Sequence, residues 1–230
     1  MNFQRVVFCC CADYHRIPAD LIKGLYSQAE FAGIKIELCN DLCYEAVRNP
    51  EFLKQLSDEN TAIAACYRRS IKALFASVDI SAPMVLDLRS DKINQHLLTL
   101  GINASEKKSE LLIPEYAYKW KAWYPLIDRE RCSGCGKCID YCLFGVYSRI
   151  GRRVVVAQPS ECKTNCPACA RVCPQKAIIF PKHNEAPIDG AEIEPVNPPK
   201  LEVQPGQNAD DLYTKLAKRR QNQKKDALLK

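Results

Sequence analysis

The first hundred residues alternate short apolar runs with segments whose apolar positions recur at helical period. Residues 4–9 read as a buried strand, and Pro18 opens a helix with Leu21, Ile22, Leu25, Ala29 and Ala32 on one face before Gly33 closes it. Residues 34–38 form a second strand. Asp41 caps a short helix through Val47, and Asn49-Pro50 starts another turn carrying Phe52, Leu53 and Leu56. Residues 61–65 give a third strand, followed by a helix marked by Ile71, Leu74, Phe75 and Val78. Residues 84–88 give a fourth, and Ser90 caps a last helix with Ile93, Leu97 and Leu98. Strands separated by single helices require right-handed parallel crossovers, so the expected fold is an open, mainly parallel four-stranded α/β sheet.

The pattern then changes. Residues 105–125 read as a connector, and its Tyr116, Tyr118, Trp120, Trp123 and Tyr124 suit packing between two domains better than a partner-binding patch. Cysteines cluster from 126 to 182, where a small α+β domain is expected. Six of the fourteen prolines fall between 181 and 205, so residues 183–230 read as an extended linker and a tail. The domain of residues 1–104 completes the division.

The net charge of +6 suggests nucleic acid until it is located. From Leu212 onward lie Lys215, Lys218, Arg219, Arg220, Lys224, Lys225 and Lys230 against Asp226 alone, so residues 1–211 are neutral overall. A basic tail suits electrostatic docking or solvation, not a DNA groove. No apolar run approaches the roughly 18 residues that span a bilayer, and the short apolar stretch of residues 6–12 is too brief for a signal peptide. Fourteen cysteines without a secretory segment point to a cytoplasmic chain that binds metal or does redox chemistry.

Cys132, Cys135, Cys138 and Cys142 have the spacing C-x2-C-x2-C-x3-C. Cys162, Cys166, Cys169 and Cys173 repeat it with one extra residue in the first gap. Three closely spaced thiolates can meet one iron–sulfur cube while the fourth reaches another, as expected of two-cluster ferredoxins. On that rule one cluster takes Cys132, Cys135, Cys138 and Cys173, and the other takes Cys142, Cys162, Cys166 and Cys169. Paired C-x2-C motifs also build zinc sites, but zinc has no use for two tandem four-cysteine runs. Residues 125–182 resemble bacterial-type ferredoxin domains with two 4Fe-4S clusters. The departures are Leu143 where proline is usual and the longer gap from Cys162 to Cys166. Gly134 and Gly136 would let backbone N–H groups approach the sulfurs.

Six cysteines remain. Cys9, Cys10 and Cys11 end the first strand, Cys39 ends the second with Cys43 a helical turn on, and Cys66 ends the third. In a parallel sheet these ends share one crest, where ligands sit. A third iron–sulfur cluster, a zinc ion, a dithiol pair and ordinary core packing all stay open. Cys9, Cys11, Cys39 and Cys66 are the candidate members, and Cys10 should point to the other face. Residues 1–100 also resemble the N-terminal domain of heterodisulfide reductase A subunits, through VVFCCCA, Cys39 and AIAACYRR. That resemblance implies a cluster site at Cys11, Cys39 and Cys66. No G-x-G-x-x-G follows a strand, so flavin binding is not carried over.

His15, Arg68 and Arg69 lie near the same crest, as anion ligands or as solvated helix starts, and Asp87 is a lone acid. The expected function is that of an electron-transfer protein serving redox partners, as a subunit or donor of an oxidoreductase complex. The alternative is a thiol or disulfide reductase fed by the clusters. No catalytic residue is assigned, and neither nucleic acid nor a membrane span is expected.

Overall fold

The computed structural model describes residues 4–31, 34–90 and 119–193, with the side chains of 28–31 excepted. The helix expected after Ser90, Tyr116, Tyr118 and the basic tail lie outside the described residues. The described residues up to Glu192 belong to one compact unit.

Four parallel strands, β1 (Arg5–Cys9), β2 (Lys35–Cys39), β3 (Thr61–Ala65) and β4 (Met84–Asp87), make a sheet of order β2-β1-β3-β4. Among the described residues this half has the helices α1 (Ala19–Phe31), α2 (Leu42–Arg48), α3 (Pro50–Gln55) and α4 (Arg68–Ser77). β1 and β3 are central and covered on both faces, so they are continuous apolar runs instead of alternating ones. Val7, Cys9, Ile63 and Ala65 join one core with Leu74 and Phe75 of α4, while Val6, Phe8, Ala62 and Ala64 join the other with Ile22 and Leu25 of α1. Burying a side chain such as Phe8 or Phe75 contributes about 1.5–3 kcal/mol. The strand order reverses between β1 and β3, which places the switch point of the sheet beside Cys10, Cys11 and Cys66.

The cysteine-rich half has little regular structure. β5 (Leu126–Ile127) pairs antiparallel with β8 (Ile178–Ile179), and β6 (Tyr147–Ile150) pairs with β7 (Arg153–Val156) through a two-residue turn. Gly151 enters that turn at φ +58°, where a side chain would be strained. Two short helices, α5 (Lys137–Tyr141) and α6 (Ala168–Arg171), complete it. Its core gathers Trp123, Ile127, Val146, Val154, Ile178 and Phe180. Trp123 stacks on Phe180 at 5.4 Å, and Trp120 stacks on Tyr124 at 6.0 Å, so the described part of the aromatic connector packs inward.

Leu126 and Ile179 also belong to the core under α4, so the two halves share an apolar seam. Buried polar groups fasten it. Arg69 Nε donates to Asp128 Oδ2 at 2.7 Å and its Nη1 donates to the Pro187 carbonyl at 3.1 Å. Arg89 pairs with Asp189 at 3.0 Å, and Ser70 Oγ donates to the Asp189 carbonyl. Gly190, at φ +94°, lies so close to Ser70 that a Cβ there would sit 1.8 Å from its Oγ. Residues 183–190, which composition assigns to the linker, therefore fold back on the sheet, and Ile188 and Asp189 are buried.

Candidate functional site

Of the eight cysteines of the second half, Cys138 lies on α5 and Cys169 on α6, and the other six lie on the loops around them. One cavity is lined by Cys132, Cys135, Cys138 and Cys173 together with Ile127 and Ile178. A second, more open to solvent, is lined by Cys142, Cys162, Cys166 and Cys169 with Tyr147 and Phe144. The structure thus brings together the two sets that the crossed spacing groups. The longer gap does not displace Cys162, whose thiol is pushed up to about 12 by burial and then by Cys169, Cys142 and Cys166. Burial, with Cys132 and Cys173 adding, likewise raises Cys138 to about 11. Such crowded thiols are costly to ionise together without a cation, so the donor set fits a multiply charged iron–sulfur core.

Gly134 and Gly136 take left-handed conformations, at φ +70° and +85°. A Cβ on Gly134 would lie 2.5 Å from the Arg152 carbonyl oxygen, and one on Gly136 would lie 2.2 Å from the Arg149 guanidinium. Close approach by the β6–β7 hairpin, which the sequence pattern did not reveal, demands these glycines. Arg149 Nη1 donates to the Gly134 carbonyl at 3.0 Å and holds the cysteine loop. Two donors reach the sulfurs: the Ala177 N–H to Cys173 Sγ at 3.3 Å and the Tyr147 hydroxyl to Cys169 Sγ at 3.0 Å. Hydrogen bonds to cluster sulfurs raise reduction potential by stabilising added negative charge.

At the crest of the sheet, Cys9, Cys11, Cys39, Cys43 and Cys66 share one core, while Cys10 lies in the other, as the pleat requires. Cys9 and Cys39 are in register on neighbouring strands. Cys43, outside the sequence-derived set, joins them through α2. Two charged residues sit among these thiols. Asp41 caps α2, accepting from the Cys43 N–H at 2.9 Å, and forms a fully buried ion pair with Lys182. Lys182 Nζ also donates to Cys11 Sγ at 3.1 Å. Burial would depress the Lys182 ammonium, but Asp41, followed by the neighbouring thiols, holds it well above its ordinary range. Burial is the main cause raising Cys9, Cys39 and Cys43 well above the usual thiol range and Cys66 to about 12. Among the described residues no group of three or more His, Cys, Asp or Glu side chains is close enough to hold a single metal ion.

Two other candidates near the crest, Arg69 and Asp87, are taken up in structural contacts. Arg69 is committed to Asp128 and two carbonyls. The Asp87 carboxylate accepts from the N–H groups of Arg68, Arg89 and Ser90. His15 is exposed, at φ +48°.

Residues 125–145 match the 4Fe-4S binding domain family. A ferredoxin of Methanothermococcus thermolithotrophicus is 41% identical over 54 residues, spanning 23% of this chain and 88% of the relative. The chain belongs to the ferredoxin family. The chain is also similar to an uncharacterized ferredoxin of Methanocaldococcus jannaschii, 47% identical over 75 residues, and the match takes in 31% of the chain and about half, 51%, of that relative's length. Ferredoxin-3 of a Nostoc species is 37% identical over 67 residues, covering 21% of this chain and 68% of the relative. The family carries 4Fe-4S binding, and with it single-electron carriage. Among the described residues no helix is long and apolar enough to cross a membrane.

Proposed function

We propose that this chain is a two-cluster electron carrier serving a cytoplasmic oxidoreductase complex. One cluster is held by Cys132, Cys135, Cys138 and Cys173, the other by Cys142, Cys162, Cys166 and Cys169. The observation carrying this reading is that each quartet lines its own cavity. A bound 4Fe-4S cluster takes up and releases one electron at a time. The protein supplies the thiolates, the Ala177 and Tyr147 donors and the Arg149 brace. With every iron holding a cysteine, no position is left for a substrate, so the ferredoxin half conducts without catalysing.

A third station at the crest belongs to the same reading, with Cys9, Cys11, Cys39 and Cys66 as ligands and Cys43 beside them. Five thiols on one face at the carboxyl edge of the sheet support it, as does the resemblance to heterodisulfide reductase A subunits. The reductase alternative has less support, because buried thiols raised as Cys9, Cys39, Cys43 and Cys66 are make poor nucleophiles.

Iron and acid-labile sulfide counted per anaerobically purified full chain test both. Eight irons fit the two quartets, and more than eight, lost selectively in Cys66→Ser, fits the crest station. Cys162→Ala should empty one site only, leaving about half the iron of the ferredoxin half. Zinc without sulfide would overturn the reading.

A further inference from the structure

The β6–β7 hairpin ends in Arg149, Ile150, Gly151, Arg152 and Arg153, all exposed, with Ile150 67% exposed. Beside it opens a notch of about 470 Å³ between the hairpin, the end of α4 and the first cysteine loop. Arg129, Arg152 and Arg153 line it, with Asp79, Cys132 and Ser133 among the other wall residues. Arg129 is held by a 2.6 Å hydrogen bond to the Val154 carbonyl. Neither Arg152 nor Arg153 has an ion-pair partner among the described residues, so three guanidiniums face the single carboxylate of Asp79.

We infer that this hairpin tip and its notch form the docking face for an acidic one-electron carrier protein, which exchanges electrons through the cluster held by Cys132, an inference that rests on the two-cluster reading. The notch receives carboxylate side chains. Planar guanidiniums suit bidentate carboxylate recognition. A small anion would leave Ile150 unused, whereas an exposed apolar residue ringed by arginines is the make-up of a protein interface. The face is also coupled to the site, because Gly134 of the cysteine loop lies against the Arg152 backbone and Arg149 bonds its carbonyl. One electron passes between the two proteins: the partner is oxidised by one and this chain reduced by one, or the reverse, with no bond made or broken. The second cavity presents a different surface, where Tyr141, Leu143 and Phe144 are exposed and no arginine lines the wall.

The test is stopped-flow electron transfer from the reduced full-length holoprotein to an acidic flavodoxin. At about 10 mM salt, where charges act over about 30 Å, the double variant Arg152→Glu, Arg153→Glu should react about tenfold more slowly. At about 1 M salt the difference should vanish. Poly-L-glutamate should compete with flavodoxin for the wild type. The pair Lys54→Glu, Lys72→Glu, with the same change of net charge on α3 and α4, should stay within about twofold of wild type. An unchanged rate at low salt, or an equal fall in the Lys54, Lys72 pair, would overturn the assignment. So would competition by inorganic phosphate but not by polyglutamate, which would mark a small-anion site instead. A wild-type iron count below eight would sink the two-cluster reading whatever the rates.

Discussion

The crest of the parallel sheet and the loops around α5 and α6 both gather cysteines, yet they are held in opposite ways. At the crest the sulfurs sit on the ends of strands that an apolar core already fixes, and a buried ion pair balances them. In the ferredoxin half they sit on loops and short helices between two-residue and four-residue strands, around the two cavities. The first arrangement can persist without metal. The second depends on it, because short strands and helices of four or five residues cannot hold a fold by themselves.

Iron removal tests this contrast most severely. Chelation under reducing conditions should abolish amide-exchange protection across β6–β8 and the two short helices, while β1 and β3 stay protected. Equal loss in β1 and β3 would erase the distinction. Next in size is the crest's ion pair. Lys182→Met leaves the buried Asp41 carboxylate unpaired and should cost about 3–5 kcal/mol in denaturant unfolding, with much of it regained by adding Asp41→Asn. A cost under about 1 kcal/mol would mean that packing alone holds the crest. Arg69→Ala addresses the seam and should cost about 2 kcal/mol through loss of charge-assisted hydrogen bonds. The Arg5–Glu37 pair at the sheet's edge is partly solvated, so Arg5→Ala should cost no more than about 1 kcal/mol. The smallest effect lies at Asp58, whose carboxyl is lowered chiefly by its hydrogen bond from Thr61. Its folded value is below its unfolded one, so its contribution is complete above about pH 4 and fades as pH falls further. An NMR titration of Asp58 with and without Thr61→Ala should show the value return toward normal.

The sheet was legible because its information is local: β1, β3 and β4 are apolar runs bounded by turn signals, and Asp41 and Pro50 announce the starts of α2 and α3. The quartets were legible for the same reason, since a cysteine loop carries its ligands within a few residues. Long-range polar contacts left no such trace. Lys182 meets Asp41 across 141 positions, and Arg69 meets Asp128 across 59. In sequence they are ordinary charged residues, and only the packing of β8 and its following strap beside the sheet gives them partners. The β5 and β6 strands were missed because two apolar residues, or Tyr147 followed by exposed Ser148, Arg149 and Ile150, make no periodic pattern.

The distance along the chain between Asp41 and Lys182 also sets an order of events during synthesis. The segment that forms the sheet is synthesised before residue 182, so the crest's carboxylate waits for its lysine. Lys182 follows the last ferredoxin cysteine by nine positions and arrives only once that half can close. Before Lys182 arrives, the buried Asp41 carboxylate has no cation beside it.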